Sequence, residues 1–250
     1  MTPSPASSAA ASDLWQHYDS NPARRVMNRI HWDWYQRTGP GAELLGDLAG
    51  LTAVELGAGA GHQAAHIATF LEPARLICLD SSPAQHANSR TLYGDIPGLE
   101  PVHTDAAAFL NRGPGTIDVA YSLFGALDFS EPRALLPALA TALRPGGRLV
   151  FSTLGHYKGG GAPATECRAA DIPTRRADGS PGTMRRWVLD TSVWEKLLAG
   201  HGFELSDTDT IRDPGPAGAP PMTTLVFRAR RRGDDRTRRR RAATAASKAK

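Results

Sequence analysis

The stretch VELGAGAGHQ, residues 54–63, decides the fold of this chain. An apolar run ends at Glu55, and glycines follow at every second position, at Gly57, Gly59 and Gly61. A strand that runs into a glycine-rich turn and then into a helix brings backbone N–H groups and a helix N-terminus to one point at the carboxyl edge of a parallel sheet. Glycine is required where the backbone turns sharply or lies against a ligand. The stretch therefore predicts a ligand-binding loop.

The pattern around this loop predicts an α/β fold. Short apolar segments predict strands at 52–56, 75–79, 100–104, 117–122, 147–153, about 203–211 and 222–229. Helical patterns lie between them near 61–71, 83–92, 105–111 and 131–143, and Ser192 with Glu195 forms a capping box for one more helix. Such alternation predicts βαβ units and a mostly parallel sheet. The loop between the last two strands is too short for a crossover helix, so this pair is predicted to be an antiparallel hairpin.

Four further segments complete the predicted organisation. Residues 1–12 are rich in Ala, Ser and Pro and are predicted to be disordered. Apolar and aromatic residues at roughly helical spacing predict an N-terminal helical cap over 13–48. A Gly- and Pro-rich stretch predicts a lid-like insertion over 155–187. The Arg-rich residues 230–250 are predicted to form a disordered basic tail.

Charge and composition restrict the classes of partner. The net charge is +4, but residues 228–250 carry eleven Lys and Arg against two Asp, which leaves the remainder of the chain mildly acidic. The charge of the body of the protein therefore argues against nucleic acid as its partner. No run of about 18 apolar residues occurs, residues 1–12 do not resemble a signal peptide, and the two cysteines form no disulfide framework. These features predict a cytoplasmic protein without a membrane span or a metal site, and leave monomer and homodimer both open.

Three ligand types remain compatible with the loop alone: a dinucleotide, a phosphate and S-adenosylmethionine. Gly59, Gly61 and Ala64 satisfy the relaxed dinucleotide fingerprint, with Asp80 about 20 residues further on. In the register that starts at Gly57, His62 takes the third glycine position and the fingerprint fails. A carboxylate at Glu55 would repel a pyrophosphate and attract the ammonium and sulfonium groups of S-adenosylmethionine. The residues favour S-adenosylmethionine, with a nicotinamide dehydrogenase as the alternative.

Five segments in order resemble the motifs of class I S-adenosylmethionine-dependent methyltransferases. They are VELGAGAG, LICLDSSP, HTDAAAF, IDVAYSLFGALDF and LRPGGRLVFS. The resemblance extends over about residues 13–229 and is nearest to bacterial enzymes that act on quinones or specialised metabolites. It implies a Rossmann-like, doubly wound, seven-stranded sheet, mostly parallel with an antiparallel C-terminal hairpin strand, and assigns the cofactor-binding domain to residues 49–229.

The resemblance also implies which residues bind S-adenosyl-L-methionine. Asp80 would hold the ribose hydroxyls, and Asp105 with the amide of Ala106 would meet the adenine, although Asp80 and Asp105 are also plausible helix caps. The full set of predicted cofactor-binding residues is Glu55, Gly57, Ala58, Gly59, Gly61, Asp80, Ser81, Asp105, Ala106 and Ser122.

The substrate is predicted to lie above the carboxyl edge, between the N-terminal segment and the ends of the fourth and fifth strands. His156 is predicted as the catalytic base and Tyr18 as a second catalytic residue over the cofactor. The predicted substrate-binding residues are His31, Tyr35, Phe124, Tyr157 and Arg186. Trp34 and Asp128 are further candidates, although an aromatic stripe at helical spacing is also typical of a core.

The predicted activity is methyl transfer to an oxygen or nitrogen of a small-molecule metabolite in bacterial specialised metabolism, such as antibiotic biosynthesis. The alternative is an RNA or protein methyltransferase that uses the Arg-rich tail to bind its partner. A non-enzymatic domain that binds the cofactor is a third hypothesis.

Overall fold

The computed structural model describes residues 13–15, 23–176 and 178–233. A seven-stranded sheet forms its centre, and a separate two-stranded hairpin lies in the predicted insertion. The strands are β1 Thr52–Leu56, β2 Arg75–Asp80, β3 Leu99–His103, β4 Ile117–Leu123, β5 Leu143–Leu154, β6 Ala170–Arg175, β7 Pro181–Arg186, β8 Phe203–Asp213 and β9 Met222–Arg231. The helices are α1 His62–Phe70, α2 Pro83–Tyr93, α3 Ala106–Leu110, α4 Ala126–Phe129, α5 Pro132–Ala142 and α6 Thr191–Gly200.

The strand order of the large sheet is β3-β2-β1-β4-β5-β9-β8. Strands β1 to β5 are parallel, and β9 runs antiparallel to both β5 and β8. The predicted α/β fold with an antiparallel C-terminal hairpin is confirmed. From β1 the chain first adds β2 and β3 on one side and then adds β4 and β5 on the other side of β1. In such sheets, ligands bind in the crevice outside the carboxyl ends of the strands where the order changes direction.

Helices cover both faces of the sheet, as the doubly wound prediction requires. Val54 and Leu56 point into a core shared with α3, α5 and α6, whereas Ala53 points into a core shared with α1 and α2. The two cores follow from the strand alternation, because successive side chains of β1 lie on opposite faces. Both faces being covered also explains why β1 and β2 read as nearly continuous apolar runs.

The N-terminal helical cap is a wrong prediction for the residues that the structure describes. Within 13–15 and 23–48 it contains two short 3-10 turns, Asp13–Trp15 and Ala42–Leu45, and no α-helix. Ile30 and Trp32 are both buried in the core beside α1, which is an alternating rather than a helical pattern. The carboxylate of Asp33 accepts hydrogen bonds from the backbone of Tyr35, Arg37 and Thr38. Such local side-chain bonds compete with helix formation.

Three smaller differences concern element boundaries. The insertion 155–187 contains the hairpin β6–β7, in which burial alternates along each strand. The Gly and Pro residues of this segment made its strand pattern hard to recognise in the sequence. The last helix is capped by Asp190, which accepts a hydrogen bond from the Ser192 amide, and not by Ser192 itself. Strand β9 continues to Arg231, so the basic tail begins later than residue 230.

Three predictions concern residues outside those that the structure describes. They are the disorder of residues 1–12, the disorder of most of the basic tail, and the catalytic role of Tyr18. Every helix in the described part of the chain is too short or too polar to cross a membrane.

Candidate active site

The three glycines of the loop after β1 have different neighbours. A Cβ at Gly57 would come within 2.5 Å of the Ala126 amide nitrogen, and one at Gly61 within 2.6 Å of the Ser89 hydroxyl. A Cβ at Gly59 would meet nothing closer than Gln85 Oε1, at 3.8 Å. All three residues have positive φ, a conformation that glycine adopts without steric cost. Gly57 and Gly61 thus permit close packing, and Gly59 leaves its side of the loop open for a ligand.

Asp80, at the end of β2, holds this loop in place. Its Oδ2 accepts a hydrogen bond from the Gly59 amide, and its Oδ1 accepts one from the Ser82 amide, both at 2.8 Å. Burial raises the pKa of Asp80, and these backbone bonds oppose the rise. Ser81 is exposed beside it, and Ser82 caps α2 through the Gln85 amide. Asp80 therefore lies at the carboxyl edge against the open glycine, where the ribose was predicted.

Glu55 lies in a different position from the open side of the loop. It is 2% exposed, its Oε2 accepts a hydrogen bond from Tyr121 at 3.2 Å, and the Ala64 amide in the first turn of α1 also donates to it. Burial raises its pKa to about 8. A nearby cation would favour the ionised form of Glu55. The predicted attraction between Glu55 and a positively charged cofactor therefore requires that Glu55 loses its proton when the cofactor binds.

Asp105 and Ser122 lie on opposite sides of the loop, Asp105 after β3 and Ser122 on β4. Asp105 follows β3, where Thr104 donates a hydrogen bond to the carbonyl of Asp80. The Asp105 carboxylate accepts a hydrogen bond from the Ala108 amide, so it caps α3, with Ala106 buried at the start of that helix. Ser122 donates its hydroxyl hydrogen to the carbonyl of Leu56, which ties the end of β4 to the end of β1.

These residues fit S-adenosyl-L-methionine. The glycine loop with Ala58, Asp80 and Asp105 lies at one edge of the sheet, because the parallel strands β1, β2 and β3 end there. The open side of Gly59 is a cradle that a single Cβ would begin to fill. A carboxylate beside it suits ribose hydroxyls, which are hydrogen-bond donors.

An aromatic cluster adjoins the loop at the end of β4. Phe124 has a φ of 49°, which is strained for a bulky residue and typical of functional sites. Its ring meets Trp34 edge-on, with centroids 5.0 Å apart. Trp15 meets Phe129 in the same manner at 4.7 Å, and the Trp15 carbonyl accepts a hydrogen bond from Gln85. The N-terminal segment thus spans from α2, beside the glycine loop, to α4.

A buried ion pair joins this cluster to the insertion. Both Nε and Nη2 of Arg186, on β7, donate to Oδ2 of Asp128, on α4, and both side chains are almost fully buried. The guanidinium also lies over the rings of Trp34 and Phe129, about 5 Å from each centroid. Arg186 is therefore committed to Asp128, and in this arrangement it anchors the hairpin to the site.

His156 uses both ring nitrogens within the chain. Its Nε2 accepts a hydrogen bond from the Thr223 amide at 3.2 Å, so the proton is on Nδ1, which lies 2.9 Å from the Tyr157 carbonyl. In this arrangement neither nitrogen is available to accept a proton from a substrate. Tyr157 packs partly buried against Leu154 and Val188, and burial raises its pKa. The predicted base role of His156 requires that the bond from the Thr223 amide to Nε2 opens, since this nitrogen would accept the proton.

The other two predicted substrate residues, Tyr35 and His31, lie in different surroundings. Tyr35 donates its hydroxyl hydrogen to the Pro220 carbonyl at 2.5 Å, beside the β8–β9 loop. His31 lies instead in a smaller pocket of about 370 Å³ with Arg25, Arg29 and Gln36.

Sequence reasoning missed a groove at this edge of the sheet. Its cavity volume is about 700 Å³, and it lies between the turn after β5 and the β8–β9 loop. Its lining includes His156, Lys158, Arg212, Asp213, Met222 and Thr223. The signal that could have marked Lys158 is the scarcity of lysine, since the chain has only four.

The seven-stranded sheet, mostly parallel with β9 antiparallel between β5 and β8, is the fold that the resemblance to class I S-adenosylmethionine-dependent methyltransferases implied. Residues 53–147 match the family model described as a methyltransferase domain. The resemblance stated from the sequence is confirmed, and with it S-adenosyl-L-methionine as the cofactor of this domain.

Individual proteins are similar to different extents. The chain is 31% identical to a trans-aconitate 2-methyltransferase of Methylobacterium radiotolerans over 68% of its length and 65% of that protein. It is 27% identical to a ubiquinone biosynthesis O-methyltransferase of Ralstonia nicotianae over 51% of its length and 50% of that protein. It thus spans less than two thirds of either relative. A crystal structure of an S-adenosylmethionine-dependent methyltransferase from Mesorhizobium loti aligns with 75% of the chain and 94% of that structure, with a TM-score of 0.54 and 21% identity, and shows the same fold.

Proposed function

We propose that this protein transfers a methyl group from S-adenosyl-L-methionine to an oxygen or nitrogen of a small-molecule metabolite, in bacterial specialised metabolism and in the cytoplasm. The observation that carries the proposal is the direct contact between the cofactor loop and the aromatic cluster. Gly57 packs against the backbone of Gly125 and Ala126, and the adjacent Phe124 contacts Trp34. An acceptor held by these rings would lie beside the cofactor.

The size of the groove supports a small acceptor. Pockets for small molecules have volumes of about 300–1,000 Å³ and combine apolar walls with a few polar groups, and the groove falls in this range. The names of the two relatives refer to small molecules as well, trans-aconitate and ubiquinone.

The chain's own residues would act by positioning and by excluding water. The bound cofactor supplies an electrophilic methyl group on a sulfonium. Methyl transfer is an in-line displacement, so the protein must align the acceptor and keep water out. Phe124 and Trp34 provide a wall, and the hairpin held by Arg186 and Asp128 closes one side. An acceptor hydroxyl or protonated amine would also need to lose a proton.

The experiment is a methyl-transfer assay with labelled S-adenosyl-L-methionine and a fractionated bacterial metabolite extract. We expect label to enter a small molecule with the wild-type chain and not with Gly59→Val. As a matched control, Gly115→Val alters another positive-φ glycine, with open space around it, outside the loop. No labelled metabolite with the wild type, or equal labelling with Gly59→Val, would contradict the proposal.

The RNA or protein methyltransferase remains the second candidate, favoured by the Arg-rich residues 234–250. Deletion of these residues separates the two candidates. Unchanged turnover of a metabolite favours the small-molecule function. Loss of transfer to RNA or protein, together with a steep dependence on salt, favours the alternative.

A further inference from the structure

Lys158 has an unusual environment for an exposed lysine. It lies in the turn after β5, where Tyr157 and Gly160 and Gly161 exchange backbone hydrogen bonds. Its ammonium nitrogen is 4.3 Å from the centroid of the Trp34 ring, a distance at which a cation is attracted to the ring face. Partial burial and the charge of Arg186 lower its pKa. The turn and the indole therefore hold the ammonium at the groove.

No carboxylate in the described part of the chain forms an ion pair with this ammonium group. Among residues 13–15, 23–176 and 178–233, no carboxylate lies within ion-pair distance of Lys158 or of Arg212, which lines the groove with it. The nearest candidate by sequence is Asp213, but both of its carboxylate oxygens accept hydrogen bonds from Arg37. Asp128 is likewise paired with Arg186. The groove thus presents two cations that have no carboxylate partner among the described residues.

The two cations are brought to one groove by the backbone. Arg212 is opposite Thr223 in the β8–β9 pair, and the Thr223 amide donates to His156, two residues before Lys158. The Thr223 carbonyl also accepts a hydrogen bond from the Gly155 amide. These bonds attach the turn that carries Lys158 to the start of β9.

The groove is connected to the cofactor loop through Trp34. This ring contacts Lys158 on the groove side and Phe124 on the loop side. A molecule that occupies the groove would thus lie one aromatic side chain away from the residues beside Gly57.

We propose that Lys158 and Arg212, which line the same groove, form an anion subsite that holds a carboxylate of the methyl acceptor. The inference rests on the proposed function, and it narrows the substrate class to small organic acids. The carboxylate here is an anchor, which orients the acceptor, and need not be the atom that is methylated.

The test measures binding of matched acids and amides by isothermal calorimetry. The probes are benzoate, trans-cinnamate and sorbate, each paired with its carboxamide, and each titration is run with and without S-adenosylhomocysteine. We expect at least one acid to bind about tenfold more tightly than its amide, since a charge-assisted hydrogen bond contributes on this scale. Lys158→Gln and Arg212→Gln should each remove most of that preference, and Lys158→Arg should restore it.

Matched controls are Lys196→Gln, on the exposed side of α6, and Arg112→Gln, after α3, which should leave the preference unchanged. The proposal is overturned if no acid binds more tightly than its amide, or if both groove variants bind acids like the wild type. Cofactor binding is measured separately on the same variants. If S-adenosylhomocysteine binds but the acids do not, the subsite fails alone; if it does not bind to the wild type, the proposed function fails.

Discussion

Gly57 lies directly against the backbone of Ala126, so closely that a Cβ on Gly57 would come within 2.5 Å of the Ala126 amide nitrogen. This contact joins the glycine loop after β1 to the segment after β4, which carries Phe124 and Asp128. The two sides of the candidate active site are therefore one packed unit, and a change on one side alters the other.

Gly57→Ala should lower the free energy of unfolding by about 2–4 kcal/mol, because it adds a backbone clash to an unfavourable positive φ. Urea unfolding measures the change. Gly50→Ala is the matched control, since Gly50 also has positive φ but has nothing within 4 Å of its added Cβ. Equal losses for the two variants would show that the contact with Ala126 is unimportant.

Asp80→Asn should weaken cofactor binding by about 1–3 kcal/mol, because a charge-assisted acceptor for the ribose is lost. The variant keeps the shape of the side chain, and the amide oxygen can still accept one of the two backbone bonds. Calorimetry with S-adenosylhomocysteine gives the affinity. Wild-type affinity in Asp80→Asn would remove Asp80 from the cofactor site.

Arg186→Met should destabilise the protein by about 3–5 kcal/mol, because it leaves the Asp128 carboxylate buried without its counter-ion. The double variant Asp128→Asn, Arg186→Met should recover part of this loss, and the coupling follows from a double-mutant cycle. Arg185→Met is the control on the exposed side of the same strand. If the single variant unfolds at the same urea concentration as this control, the ion pair does not anchor the hairpin.

Glu55 gives the protein a specific dependence of stability on pH. Its pKa is about 8 in the folded state, above the ordinary value of about 4.3 for the unfolded chain. Between these values the folded state holds a proton that the unfolded state has released, so the stability contributed by this group is greatest at low pH and falls as the pH rises towards 8.

Glu55→Gln cannot titrate, so its stability relative to the wild type should increase from pH 5 to pH 8. Urea unfolding at four pH values in this range measures the difference. Parallel curves for the two proteins would mean that Glu55 is already ionised in the folded state.

The central sheet and the glycine loop after β1 were predictable because they depend on local patterns. Short apolar runs, glycines at fixed spacing and acidic residues at strand ends mark β1, β2 and the loop, and parallel strands bring their carboxyl ends to one edge. The three glycines looked equivalent in the sequence, however. Their separate roles depend on neighbours such as Ala126 and Ser89, which are distant in the chain.

The N-terminal segment was not predictable in the same way. Val26, Ile30 and Trp34 have helical spacing, but burial of Trp32 against the sheet and the backbone bonds of Asp33 stabilise an irregular path. Tertiary packing here overrides the local pattern.

The groove could not be predicted from the sequence, because its residues are brought together by the pairing of β8 with β9 and not by their spacing along the chain. Lys158 and Arg212 lie on elements far apart in the chain, and the bond from Thr223 to His156 brings them together. His156 looked like a base because it follows β5, and only the structure shows that both of its nitrogens have backbone partners.

The most direct test of the cofactor site is the binding of S-adenosyl-L-methionine to the wild type and to Gly59→Val, measured by calorimetry. Gly59 has the open side of the loop, so the added side chain should occupy the ligand's position and leave no measurable binding, while Gly115→Val binds like the wild type. Saturable binding of equal affinity to the wild type and Gly59→Val would contradict the account.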